Sequence, residues 1–148
     1  MRRKPPAAAL HASPDDVEAQ FYEALQRGDV ALLMSVWADD DEIVCVHPGG
    51  GRLVGAAQIR ESFEAIFGNG GVPAQPEQVH RLHSLSCAVH HLVERITVQG
   101  AEGTQQAVVL ATNVYLKTAE GWRLAAHHAS PAHPGAVPEP GEAPSTLH

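Results

Sequence analysis

Apolar residues recur at helical spacing in three segments of this chain and alternate at strand spacing in most of the rest. The first helical segment is "SPDDVEAQFYEALQRGD". Val17, Phe21, Ala24 and Leu25 fall at i, i+4, i+7 and i+8, which makes one apolar face. Ser13 suits the cap, Pro14 the first helical position, and Asp15 and Asp16 the positive end of the helix. Gly28 is a stop signal. Asp29 opens a second, shorter helix carrying Leu32, Leu33, Val36 and Trp37. "EIVCVHP" reads as a strand from Glu42 to His47, ended by Pro48 and three glycines, and "RLVG" as a short return. A third helix follows in "GAAQIRESFEAIFG", where Ile59, Phe63, Ile66 and Phe67 repeat the helical spacing. Beyond the loop "GNGGVPAQP", the stretch Glu77 to Gln99 reads as two strands with a break near Ser84–Ser86. Gln105 to Lys117 is another strand and Trp122 to Ser130 the last.

This order predicts an α+β fold, three N-terminal helices lying on one face of a curved antiparallel sheet. The strand "AVVLATNVYL" carries Val109, Ala111, Asn113 and Tyr115 on one face and Val108, Leu110, Thr112, Val114 and Leu116 on the other. Both faces are mainly apolar, yet helices cover only one. The simplest cover for the other is a second copy, so a homodimer through the outer sheet face is expected.

Composition narrows the function classes. At 148 residues the chain is one domain. Its domain is expected over 14–131, after a flexible stretch 1–13 and before a disordered Pro/Gly-rich tail 132–148. Net charge is -7, and residues 14–130 hold fifteen acids against seven bases. That argues against a nucleic-acid surface, which needs a basic patch. No apolar run approaches the roughly 20 residues of a membrane helix, and "AAAL" is too short for a secretory signal. With only Cys45 and Cys87, both read as free thiols, the expected compartment is the cytoplasm.

The segments "FYEALQRGDVALLMSVWADD", "RLVGAAQIRESF" and "GWRLAAHHASP", in this order and spacing, resemble the NTF2-like superfamily, in its SnoaL-like and ketosteroid-isomerase-like branch. The resemblance implies a cone-shaped sheet wrapped around the helices, usually in a dimer, with a deep pocket between them. In the isomerases three tyrosines form a cluster that helps hold an oxyanion. The matching positions here are Phe21, Trp37 and Phe63, none with a phenol. A protonated aspartate on a late strand is matched by Asn113, and the general base, loosely, by His47. The resemblance therefore implies a pocket without genuine steroid isomerase chemistry.

Matching "GWRLAAHHASP" to the last strand, with strict alternation, points His128 and Ser130 inward and His127 outward. His47 is the expected base, since imidazole takes and returns protons near neutral pH. Asn113 and His128 are the expected stabilisers of negative charge, while Phe21, Trp37, Phe63, Ala111, Tyr115 and Ser130 line the pocket. No aspartate or glutamate reads as inward-facing on a strand. The histidines lack the spacing of a known closed metal site, so no metal or other cofactor is expected. The function expected is binding of a small, largely apolar carbonyl or hydroxyl compound, with proton transfer of isomerase, cyclase or dehydratase type. The alternative is a non-catalytic ligand-binding or dimerisation module.

Overall fold

The computed structural model describes residues 11–133 with Gly135 and Val137. Helix α1 spans Pro14–Arg27, α2 Val30–Ser35 and α3 Ala56–Phe67. Strands β1 (Val44–Val46) and β2 (Arg52–Val54) separate α2 from α3. Strands β3 (Ala74–His83), β4 (Cys87–Gly100), β5 (Gly103–Thr118) and β6 (Gly121–Ala132) follow α3. The helix boundaries obey the capping rules. Ser13 Oγ accepts from the Asp16 backbone N–H, Asp29 caps α2 through the Leu32 N–H, and Gly28 ends α1 in the left-handed conformation.

The six strands form one sheet in the order β2-β1-β6-β5-β4-β3. All neighbours pair antiparallel except β1 and β6, which run parallel. The long strands make the meander the alternation predicts. The short β1 joins its free edge and brings Cys45 beside His127. The core lies between the sheet and the helices. Phe21, Tyr22, Leu33, Ile59, Phe63, Tyr115 and Leu124 are its largest fully enclosed apolar and aromatic members.

Strict alternation fails in β6. Tyr115 pairs with Leu124, but Val114 pairs with Ala126, which leaves Ala125 as the extra residue of a β-bulge. The cause lies on the other edge of β6. Leu124 exchanges backbone hydrogen bonds with Val36 and Ala38, at 2.8 Å each, before β1 takes over as partner at Ala126. One extra residue bridges the two pairings. Inward positions therefore run Leu124, His127, Ala129. His127 is buried, and His128 and Ser130 face outward, the reverse of the expected parity.

The strand β6 also continues past Ser130 through Pro131 and Ala132. Of the tail expected to be disordered, Val137 packs on Val93, Val108 and Ala132 at the outer sheet face. Most of that tail and residues 1–10 lie outside the described residues. Among the described residues no helix is long and apolar enough to cross a membrane.

Candidate functional site

Helix α1 and strands β4, β5 and β6 send a set of polar side chains into the core. Glu18, Phe21, Tyr22 and Leu25 lie at i, i+3, i+4 and i+7, so the buried stripe of α1 holds two polar residues beside its apolar ones. Glu94 comes from β4, Asn113 from β5 and His127 from β6. Each of Tyr22, Glu94, Asn113 and His127 is at most 4% exposed.

These groups satisfy one another. The Tyr22 hydroxyl donates to Glu94 Oε2 at 2.7 Å and accepts from Asn113 Nδ2 at 3.2 Å. Asn113 Oδ1 accepts from His127 Nδ1. This fixes the tautomer: with its proton on Nδ1, neutral His127 keeps a bare Nε2, and Glu94 Oε2 lies 3.9 Å from it. The ring of His127 packs against Phe21, centroid to centroid 5.0 Å.

Burial sets the protonation states. It is the main force that lowers His127 to about 3, with the neighbouring His47 and His128 adding to the effect. Burial also raises Glu94, only partly offset by the Tyr22 hydrogen bond and reinforced by the charge on Glu18. Tyr22 is held well above the ordinary phenol range by burial and then by Glu94. At neutral pH the set thus holds a neutral imidazole, a carboxyl that resists ionisation, a phenol and an amide.

His47 stands at the rim of this set. It is half-buried, its Nε2 lies 2.9 Å from Ser62 Oγ, and its ring meets Phe63 edge-on at 4.8 Å. Burial lowers its pKa, so it too is a neutral base at pH 7. Cys45 Sγ is 3.8 Å from His47 Nε2, but burial and the Glu94 charge push this thiol up to about 12. It is not an activated nucleophile.

The predicted residues divide accordingly. Phe21, Phe63, Ala111, Asn113 and Tyr115 face the interior. His47 borders it. Trp37 is buried but pairs with Leu124 toward the α2 end, and it lines a separate surface cavity with Met34, Ala56 and Arg60. His128 and Ser130 do not join Asn113. With His80, His91 and Thr112 they border a depression of about 430 Å³ on the outer sheet face.

Four residues of the interior were not expected from the sequence. Tyr22 supplies the phenol that Phe21 lacks, one position along the same helix face. Glu94 contradicts the expectation that no carboxylate faces inward from a strand. The parity of Ala88, His90, Leu92 and Glu94 on β4 carried that signal. Glu18 was legible on the α1 stripe. His127 was hidden by the bulge.

For a metal, Asp15, Glu18 and His90 offer ligand atoms within 4.8 Å of one another. All three already have partners: Asp15 pairs with Arg81 at 2.8 Å, and Glu18 with His90 at 2.7 Å.

Comparison with known proteins completes the picture. Residues 15–134 match the model of the SnoaL-like domain. No curated protein matches the chain. Among solved structures, a candidate calcium/calmodulin-dependent protein kinase type II association domain from Thiobacillus denitrificans is 32% identical. The match covers 82% of this chain and 97% of that one, with a TM-score of 0.75. A candidate dehydratase of the NTF2-like family from Streptomyces avermitilis is 31% identical, covering 78% and 91%, with a TM-score of 0.70. The CaMKII hub of S. rosetta, 19% identical over 88% of this chain and all of its own, shares the fold at a TM-score of 0.65. The family match spans most of the chain, and the three-helix, six-strand architecture agrees with it: this protein belongs to the SnoaL-like family of the NTF2-like superfamily.

Proposed function

We propose that the protein binds a small, largely apolar carbonyl or hydroxyl compound at the interior polar set and transfers a proton on it, in a reaction of dehydratase or isomerase type. The observation that carries this reading is the convergence of Tyr22, Glu94, Asn113 and His127 inside a core where apolar residues would be cheaper to bury. His47, neutral and half-exposed at the rim, is the base that removes a proton next to a carbonyl. The Asn113 amide is the donor for the oxygen on which charge develops, while the Tyr22 hydroxyl, whose one proton goes to Glu94, orients that carboxyl. Glu94, a carboxyl with a raised pKa, is the acid that returns a proton to a leaving hydroxyl. The similarity to a candidate dehydratase supports the reading.

The test requires no knowledge of the natural substrate. The wild-type protein should speed deuterium uptake at the α-carbon of 2-tetralone in D2O, followed by NMR. His47→Gln should remove the acceleration, a loss of about a hundredfold or more. Exchange no faster than in buffer would overturn the reading.

A second reading has its own observation. Leu110 and Leu116 are 44% and 40% exposed on the outer sheet face, and the similar association domain suggests assembly. We infer that two copies pair through this face as a homodimer. Pairing and the interior chemistry use opposite faces of the sheet and are compatible.

A further inference from the structure

His83 and His90 belong to none of the chemistry above. His83 ends β3 and is exposed, while His90 on β4 is completely buried. Their Nε2 atoms face each other at 2.8 Å, with the rings nearly parallel at 14°. On its other side, His90 Nδ1 lies 2.7 Å from Glu18 Oε2. The same carboxylate oxygen accepts the Tyr115 hydroxyl at 2.6 Å.

The acceptor dictates the tautomers. A carboxylate only accepts, so His90 carries its proton on Nδ1, and in the neutral ring Nε2 is bare. That bare nitrogen accepts from the Nε2–H of His83, whose Nδ1 is then the acceptor left for solvent. Two imidazoles thus stand in line from water to a buried carboxylate, each donating inward.

We propose that His83, His90 and Glu18 form a proton path from solvent into the enclosed interior. Water protonates His83 at Nδ1. The Nε2 proton of His83 passes to Nε2 of His90, and the Nδ1 proton of His90 passes to Glu18 Oε2. One proton has entered, the carboxylate is neutral, and both rings are neutral again with their tautomers exchanged. The reverse sequence returns the proton. Around the path stand the Asp15–Arg81 ion pair, with the Asp15 carboxylate within 4.8 Å of Glu18 and His90, and Tyr115, Asn113, Tyr22 and Glu94 at its inner end. The charge on Glu18 is one of the causes that raise Glu94. Loading Glu18 therefore eases ionisation of Glu94 without exposing either carboxyl to water. The use of that proton in catalysis rests on the function proposed above. The path itself does not.

NMR of the whole protein labelled with nitrogen-15 tests it. The ring nitrogen shifts of His90 should show Nδ1 protonated and Nε2 bare, and exchange of the Nδ1 proton with water should be measurable. His83→Ala, a change at an exposed position, should slow that exchange by about a hundredfold while backbone amides of β4 keep their protection. Free imidazole in the buffer should restore part of the rate. Unchanged exchange in the variant, slowing shared by the backbone amides, or a His90 protonated on Nε2 alone would each overturn the path. A His90 proton exchanging too fast to detect in both proteins would do the same. None of these readouts involves turnover, so failure of the path and failure of the proposed reaction are told apart.

Discussion

At the scale of residues, the site is a set of ionisable groups whose burial favours their neutral forms. His127 makes this measurable. Its folded pKa of about 3 lies below the ordinary value of 6.5, so between these limits the unfolded chain binds the extra proton. Stability must then rise with pH through that window and be lost as pH falls, by at most about 1.4 kcal/mol per pH unit from this group. Glu94, raised above 4.5, acts in the opposite sense just above that value. The expected result is a urea midpoint that falls from pH 6.5 downward, with a shallower fall in His127→Gln. An equal slope in that variant would place the neutral buried imidazole elsewhere. The thiols give a second check. Cys45, fully buried and pushed up to about 12, should react with a disulfide reagent at least about a hundredfold more slowly in the native protein than in urea. Rapid native reaction of both cysteines would contradict its enclosure. The sequence displayed Phe21, Phe63, Ala111, Asn113 and Tyr115 as interior because helical and strand periods suffice to place them. Tyr22 and Glu94 were harder, because a polar residue at the edge of an apolar stripe reads equally as solvated.

At the scale of elements, three helices and the long meander were legible because each runs for several turns or pleats with one period. The outward turn of His128 was not, because a bulge leaves no mark in a run such as "RLAAHHAS". It arises from a competition between two partners for one edge of β6, a tertiary event. Inserting one alanine between Ala126 and His127 should therefore be far worse than its small side chain suggests. It would put His128 and Ser130 into the core and His127 and Ala129 outside, and cooperative thermal unfolding, followed by circular dichroism, should vanish. An insertion that melts like the wild type would show that the bulge does not set the register. The junction between α3 and β3 is equally specific. Val72 N donates to the Leu25 carbonyl at the end of α1, and a Cβ on the adjoining Gly71 would overlap the carbonyl oxygen of Gln26. Gly71→Ala should cost about 1–3 kcal/mol in chemical unfolding. No loss of stability would contradict this close approach.

At the scale of the whole molecule, the sheet divides the two proposed activities. Its concave face holds the enclosed acid–base set, and its outer face presents exposed leucines beside the His80, His91 and His128 depression. Leu110→Asp should convert the proposed homodimer to a monomer in sedimentation velocity, and a wild type that sediments as a monomer would remove the second copy from the account. The central claim is that His127 belongs to a ligand site and His128 does not. Calorimetric binding of 2-naphthol, an apolar body with one hydroxyl that mimics an enol, tests it directly. Wild type and His128→Gln should bind it with similar affinity, while His127→Gln should bind it at least about tenfold more weakly, the loss of one buried hydrogen-bonding partner. Binding lost in His128→Gln and kept in His127→Gln, or no binding by the wild type, would contradict the account.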